Sequence, residues 1–268
     1  MTPRRLLVRP PAVAGSFYPA EPDRLHDALD AAIAGAVPRP PQATAPAALV
    51  VPHAGYVYSG PVAASAYLRA EPVRSTVRRV VLLGPSHRVP LRGLAVTSAE
   101  AWASPLGLVP IDDLARESLR DLPWVTVDDR PHAPEHSLEV QLPFLQTVLD
   151  EFVLVPLVVG AATNDEVAAV IDALWTGPDT IVVVSTDLSH YYRYPDAVRL
   201  DERTAQAIID RRFADIDDHD ACGARPLRGL LQLAVQRDLA VEMLDVRNSG
   251  DTAGDRERVV GYGAFALA

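Results

Sequence analysis

The sequence predicts an α/β fold with a largely parallel central sheet flanked by helices. Two observations carry this. Short β-branched runs recur along the chain with helical patterns between them, the alternation of an α/β sandwich. Runs such as LVVP, RRVVLLG and TIVVVS are continuously apolar, as suits strands covered on both faces, whereas a half-exposed strand would alternate.

In chain order, the periodicity predicts a helix over Pro22–Ala36. The proline- and alanine-rich stretch Val37–Pro46 reads as a loop, and a strand follows over Ala48–Pro52. A helix is expected at Gly60–Ala70, a strand at Val77–Gly84 and a helix at Asp112–Leu122. The run DDRPHAPE over Asp128–Glu135 is polar and punctuated by proline, so it reads as a loop and a candidate lid. Beyond it come a helix over Leu138–Leu149, a strand over Phe152–Val159, a helix over Asp165–Trp175 and a strand over Thr180–Ser185. Helices at Asp196–Phe213 and Pro226–Arg237 and a last strand at Val259–Leu267 complete the pattern.

Composition bounds the function. A chain of 268 residues can bury a substantial core, and α/β folds of this length often remain one domain. Hydrophobic residues make up 49% of it, yet no uncharged apolar run approaches the ~20 residues a membrane helix needs. Met1–Pro11 carries three arginines followed by Pro10 and Pro11 in place of an apolar stretch, so it does not read as a signal peptide, and the protein is expected in the cytoplasm. The lone cysteine, Cys222, excludes an internal disulfide and a cysteine-cluster zinc site. A net charge of −10 argues against a nucleic-acid partner. There is no lysine, which excludes Schiff-base chemistry.

In open α/β sheets ligands bind beyond the carboxyl ends of the strands. Of the seven histidines, His53, His87 and His190 follow strand runs directly, in VVPHAGYVYSG, GPSHR and STDLSHYYRY. A fourth, His136 in PEHSLEVQLP, sits at the expected start of a helix. A single histidine so placed is more often satisfied by ordinary hydrogen bonds; three at equivalent strand ends point to a shared pocket. Imidazole is the commonest ligand for zinc, iron and copper, and two histidines with a carboxylate is the arrangement of non-haem Fe(II). Asp187 and Asp251 are the candidate carboxylates. His26, His132 and His219 lack the placement and read as surface residues. Cys222, at the start of a helix, weighs more as a small core residue than as a ligand or nucleophile. Asp217, Asp218 and Asp220 read as a solvated capping region. Tyr56, Tyr58, Tyr191, Tyr192 and Tyr194 cluster beside the histidine loops, where some line the pocket and others pack in the core.

Eight ordered motifs resemble the Memo family: RPPAVAGSFYPA at 9–20, VPHAGYVYSGPVAASAY, GPSHR, EHSLEVQLPFL, VPLVVG, STDLSHY, ACGARP and SGDTAGDRERVVGYGAFA. Its bacterial and archaeal members are often named AmmeMemoRadiSam system protein B. The resemblance implies one domain over 1–268, with 1–8 as a flexible N-terminus, and a fold similar to the LigB-type class III extradiol dioxygenases. Residue by residue, His53 and His87 fall on the family's two metal-facing histidines, and Asp187 and His190 on further pocket residues. Animal members place a cysteine in the loop before the last strand, where this chain has Thr252 with Asp251 beside it. His136, Tyr56, Ser86 and Thr252 are further candidates for the pocket.

The leading expectation is a metal-dependent oxidoreductase. Fe(II), with copper or zinc as alternatives, is held by His53, His87 and Asp251, while His190 acts as acid or base and is oriented by Asp187. A second reading is a non-catalytic module that binds a peptide, a metabolite or a partner protein, the family name implying a radical SAM protein and an AMMECR-type protein. A hydrolase using Ser86 or Ser189 is a minor alternative, since no G-x-S-x-G elbow is present.

Overall fold

The computed structural model describes residues 6–268. The chain opens with β1 (Val8–Arg9), α1 (Pro22–Ala34), β2 (Ala48–Val51), α2 (Tyr56–Tyr67) and β3 (Arg79–Pro85). Shorter pieces follow: β4 (Leu94–Val96), β5 (Ala101–Ser104), β6 (Gly107–Pro110), α3 (Asp113–Ser118) and β7 (Val125–Val127). The second half holds α4 (Leu142–Val148), β8 (Val153–Val159), α5 (Asn164–Leu174), β9 (Thr180–Ser185), β10 (His190–Tyr192), α6 (Tyr194–Ile209), α7 (Ala224–Gln236), β11 (Val241–Asn248) and β12 (Val259–Leu267).

Among the described residues the main sheet has nine strands in the order β10-β12-β2-β9-β3-β8-β4-β7, with β11 also paired to β12. Its centre, β2, β9, β3 and β8, is parallel throughout. β12 joins β2, and β4 joins β8, in the antiparallel sense. Successive residues of the central strands go to opposite faces, and both faces are covered. Leu49, Val51, Val80, Leu82, Ile181 and Val183 pack with α1, α2 and α4 in one core. Val50, Val81, Leu83, Val182 and Val184 pack with α5, α6 and α7 in the other. The continuous apolar runs therefore reflect two buried faces, each fully buried aliphatic side chain contributing roughly 1.5–3 kcal/mol.

Register sets the level of the strand ends. Val51 lies opposite Ser185, Leu83 opposite Val184 and Pro85 opposite Val159. β2, β9 and β3 thus finish side by side, and the segments that leave them emerge at one edge. The main differences from expectation lie away from this centre. β10, β11 and the small sheet β1-β5-β6 are not anticipated by periodicity. These strands are two to four residues long, except β11, whose sequence VEMLDVRN alternates polar residues because it is an outer strand. The helix expected over Leu138–Leu149 divides into a 3₁₀ turn over Glu139–Gln141 and α4, with Pro143 in the first turn of the latter.

Of the N-terminal stretch expected to be flexible over 1–8, residues 1–5 lie outside the described residues. Leu7 donates its N–H to Glu100, and Val8 already pairs with Ala101. The lid expected at Asp128–Glu135 is instead pinned down. Asp129 accepts from the Thr97 hydroxyl and the Ser98 N–H, and Glu135 is buried. His132, expected at the surface, is also buried: its Nε2 lies 3.0 Å from the Ala95 carbonyl and its ring meets Trp102 edge-on. Arg9 ties this segment to the N-terminal strand. It donates to the carbonyls of His132 and Glu135, pairs with Glu139 at 2.7 Å and lies over Trp102.

Candidate metal centre

His53 stands two residues beyond β2, His87 two beyond β3 and Asp187 two beyond β9, the strand between them. His136 comes from the segment that folds back against β3. Gly84 permits that approach, since a Cβ there would lie 2.8 Å from Ser137 Oγ and 2.9 Å from a Leu138 methyl. The Ser137 hydroxyl then donates to the Pro85 carbonyl. As a result one ring nitrogen each of His53, His87 and His136 lies within 4.8 Å of the others. The ring centroids of His53 are 5.1 Å from those of His87 and 5.4 Å from His136, and the His87 and His136 rings stack at 4.7 Å.

The tautomer of His53 follows from its neighbours. The Pro52 carbonyl can only accept, which orients the Gln141 amide and makes its nitrogen a donor to Ser185 Oγ as well. The Ser185 hydroxyl gives its own proton to the Ser137 carbonyl. Ser185 therefore accepts from His53 Nδ1 at 2.9 Å, which makes Nε2 the ring nitrogen that carries the lone pair. Burial, and then the neighbouring His87 and His136, hold the His53 pKa well below the ordinary value, so this ring is neutral, the form that binds metals.

Glu135 performs the matching role for the other two rings. Burial pushes its carboxyl up, but the adjacent His136 and His87 rings and the backbone N–H of Ser137 outweigh burial and hold it well below the usual carboxylate range. As a carboxylate it accepts from His87 Nδ1 at 2.9 Å and from the His87 N–H at 2.7 Å, so the free His87 nitrogen is Nε2. His136 Nδ1 lies 3.2 Å from the same carboxylate without the alignment of a hydrogen bond. Sequence reasoning did not identify Glu135; the acid placed directly before His136 was the available signal.

The histidines open into a cavity of about 1040 Å³ that Tyr58, Asp187, His190 and Cys222 also line. Asp187 accepts from the His53 N–H at 2.7 Å, its Oδ2 lies 3.9 Å from His53 Nε2, and burial raises its pKa. It is thus committed to His53, and no bond joins it to His190 among the described residues. Cys222, read from sequence as a core residue, has its Sγ 3.2 Å from His53 Nε2, and burial followed by the charge of Asp187 pushes its thiol pKa up. His219 is exposed at the cavity rim.

Several expected residues are not brought to the histidines. Asp251 caps a 3₁₀ turn, accepting from the Asn248 N–H at 3.0 Å and the Tyr194 hydroxyl at 2.6 Å, beside a different cavity along α6. The turn Ser249–Asp251 aims its carboxylate outward. Thr252 bonds back to the Ser249 carbonyl. Tyr56 is a core residue whose hydroxyl donates to the Val140 carbonyl. Ser86 donates to the Val89 carbonyl and Ser189 Oγ has no hydrogen-bond partner, so neither serine is paired with a histidine among the described residues.

Three imidazoles, those of His53 and His87 with buried hydrogen-bonding partners, form a donor set that suits zinc, copper, iron or nickel. The sequence model of the Memo-like protein family matches residues 9–266. A MEMO1 family protein of Aquifex aeolicus is 35% identical over 95% of this chain and 97% of its own. Proteins of the same name from Sulfolobus acidocaldarius and Ignicoccus hospitalis are 34% and 36% identical, covering 96% and 97% of this chain and 98% of each relative. The crystal structure of an uncharacterized protein from Escherichia coli K12 superposes with a TM-score of 0.47 at 15% identity, over 80% of this chain and 98% of its own.

Proposed function

This chain belongs to the Memo-like protein family, and from that premise we propose that it is a metal-dependent oxidoreductase whose ion is held by His53, His87 and His136. The observation that carries the reading is the convergence of three histidine nitrogens, two of them with the distal nitrogen occupied by a hydrogen bond. Fe(II) is the first choice, with copper and zinc as competitors. A bound ion supplies Lewis acidity and, as iron or copper, an electron-transfer couple at its open positions.

The chain's own residues do the rest. Ser185 and Glu135 fix the His53 and His87 rings, so the site is organised before an ion arrives. His190, which lines the same cavity, would be the group that takes or gives a proton. Asp187 holds the backbone of His53 and places a carboxylate oxygen near its Nε2. The position of the histidines beyond parallel strand ends supports a LigB-type arrangement, as an analogy of fold.

The test is elemental analysis of protein purified without oxygen, comparing wild type with the His53→Ala, His87→Ala double variant. Near-stoichiometric iron lost in the variant supports the reading. Wild-type protein without any metal contradicts it.

A further inference from the structure

At the mouth of the cavity the chain holds a strained tyrosine beside an unpaired guanidinium. β10 runs antiparallel to the start of β12, His190 opposite Val260 and Tyr192 opposite Val259, with a register shift between His190 and Tyr192. Tyr191 is the residue that the shift leaves over. Its φ is 65°, the left-handed region, which costs a bulky side chain roughly 1–2 kcal/mol. Burial does not offset this cost, because the tyrosine is 63% exposed. Strain of this kind, held in place by a strand pairing, is a reason to look for function at the residue.

The ring is held on two sides. It meets the His190 ring edge-on at 5.8 Å, and the Arg258 guanidinium lies 5.0 Å from its centroid. Arg258 immediately precedes β12, so the same strand pairing that expels Tyr191 brings Arg258 beside it. The Arg258 side chain has no hydrogen bond or ion pair among the described residues, and neither has Arg88, the neighbour of His87. Both line the cavity. None of the acids that line the cavity, Asp187, Asp218 and Asp255, forms an ion pair with either of them among the described residues. Asp218 is engaged by Arg225 and Arg228, and Asp255 accepts from the N–H groups of Glu257 and Arg258. In a chain of net charge −10, guanidinium forks that line a cavity without an acid partner point to an anion that comes from outside.

We propose that the cavity takes a small organic anion with a flat ring, its acid group held by Arg258 and its ring laid against Tyr191. Naming that anion as the substrate rests on the metal-enzyme reading above; the clamp itself is a property of the Tyr191 and Arg258 side chains. Tyr191 and Arg258 thereby select the ligand without touching the ion.

The test is calorimetric titration of the full chain, both metal-loaded and chelator-treated, with three probes: benzoate, benzyl alcohol and inorganic phosphate. Benzoate, which has both ring and charge, is expected to bind more tightly than either of the others. Arg258→Gln is expected to weaken benzoate by about 10- to 100-fold, the range for hydrogen bonds to a charged group. Tyr191→Gly accepts the left-handed backbone without strain and is expected to weaken benzoate by about 2- to 10-fold. Equal binding of benzoate and benzyl alcohol, or indifference to Arg258→Gln, overturns the clamp; phosphate bound as tightly as benzoate removes the ring from it. Metal content is measured on the same samples. Arg258-dependent benzoate binding in a protein that never holds metal would defeat the metal-enzyme reading and leave the clamp standing. Metal-loaded protein indifferent to benzoate would do the reverse.

Discussion

Glu135 spends its two oxygens on His87, on His136 and on the backbone of the turn that carries them. Replacing it with glutamine keeps the shape but removes the charge that fixes the His87 tautomer. Partners of this kind typically contribute 10- to 100-fold to metal affinity, so Glu135→Gln is expected to weaken metal binding by about that factor in a competition titration against a chromogenic chelator. Asp251→Ala is expected to do something different. It removes a cap of the turn Ser249–Asp251, costing about 1 kcal/mol in a urea titration, and leaves metal affinity unchanged. At this scale the sequence showed which strands end in histidine. It did not show which way a side chain in a loop turns: Asp251 and His136 both stand near a strand end or helix start, and only the path of the loop brings His136, and not Asp251, beside His53 and His87.

Two elements hold the loops in place. The first is the N-terminal strand, anchored by Arg9. Glu139 is fully buried and takes bonds from Arg9, the Tyr18 hydroxyl and the N–H groups of Ala12 and Val13. Arg9→Met leaves that carboxylate without its cation, and breaking a buried pair in this way costs about 3–5 kcal/mol, readable as a fall in the urea midpoint. The second is α6, whose Asp201 accepts from the Ser189 N–H just before His190. Burial raises the Asp201 pKa to about 6, above its ordinary 3.8. The folded state therefore binds this proton more tightly than the unfolded chain, so the stability it gives is fully present below the unfolded value and is lost as pH rises through the folded one. Between pH 4 and pH 7 wild type is expected to lose about 2–3 kcal/mol relative to Asp201→Asn, measured by urea denaturation at the two values. The central strands could be read from their continuous apolar runs. The outer strands could not, β10 because three residues are too short for a period to show, and β11 because a strand paired on one side is half polar.

For the whole molecule, the architecture brings chain segments more than eighty residues apart to one edge of the sheet, and the histidines there gain a common purpose only after folding. An ion that binds this arrangement and not the unfolded chain stabilises the fold by mass action, about 2.7 kcal/mol at one hundred times its dissociation constant. For a chain of this size that corresponds to a rise in Tm of about 5–10 °C. The rise is expected to be reversed by chelation and absent in the His53→Ala, His87→Ala double variant, as scanning calorimetry would show.

In the metal centre proposed above, three histidines, and not two histidines with Asp251, hold the ion. The most direct test is the binding isotherm of Fe(II), taken without oxygen, for wild type, His136→Ala and Asp251→Ala. Affinity is expected to fall at least about tenfold in His136→Ala, comparable to the loss of a supporting residue or more, and to hold in Asp251→Ala. Affinity retained in His136→Ala and lost in Asp251→Ala would contradict the three-histidine centre.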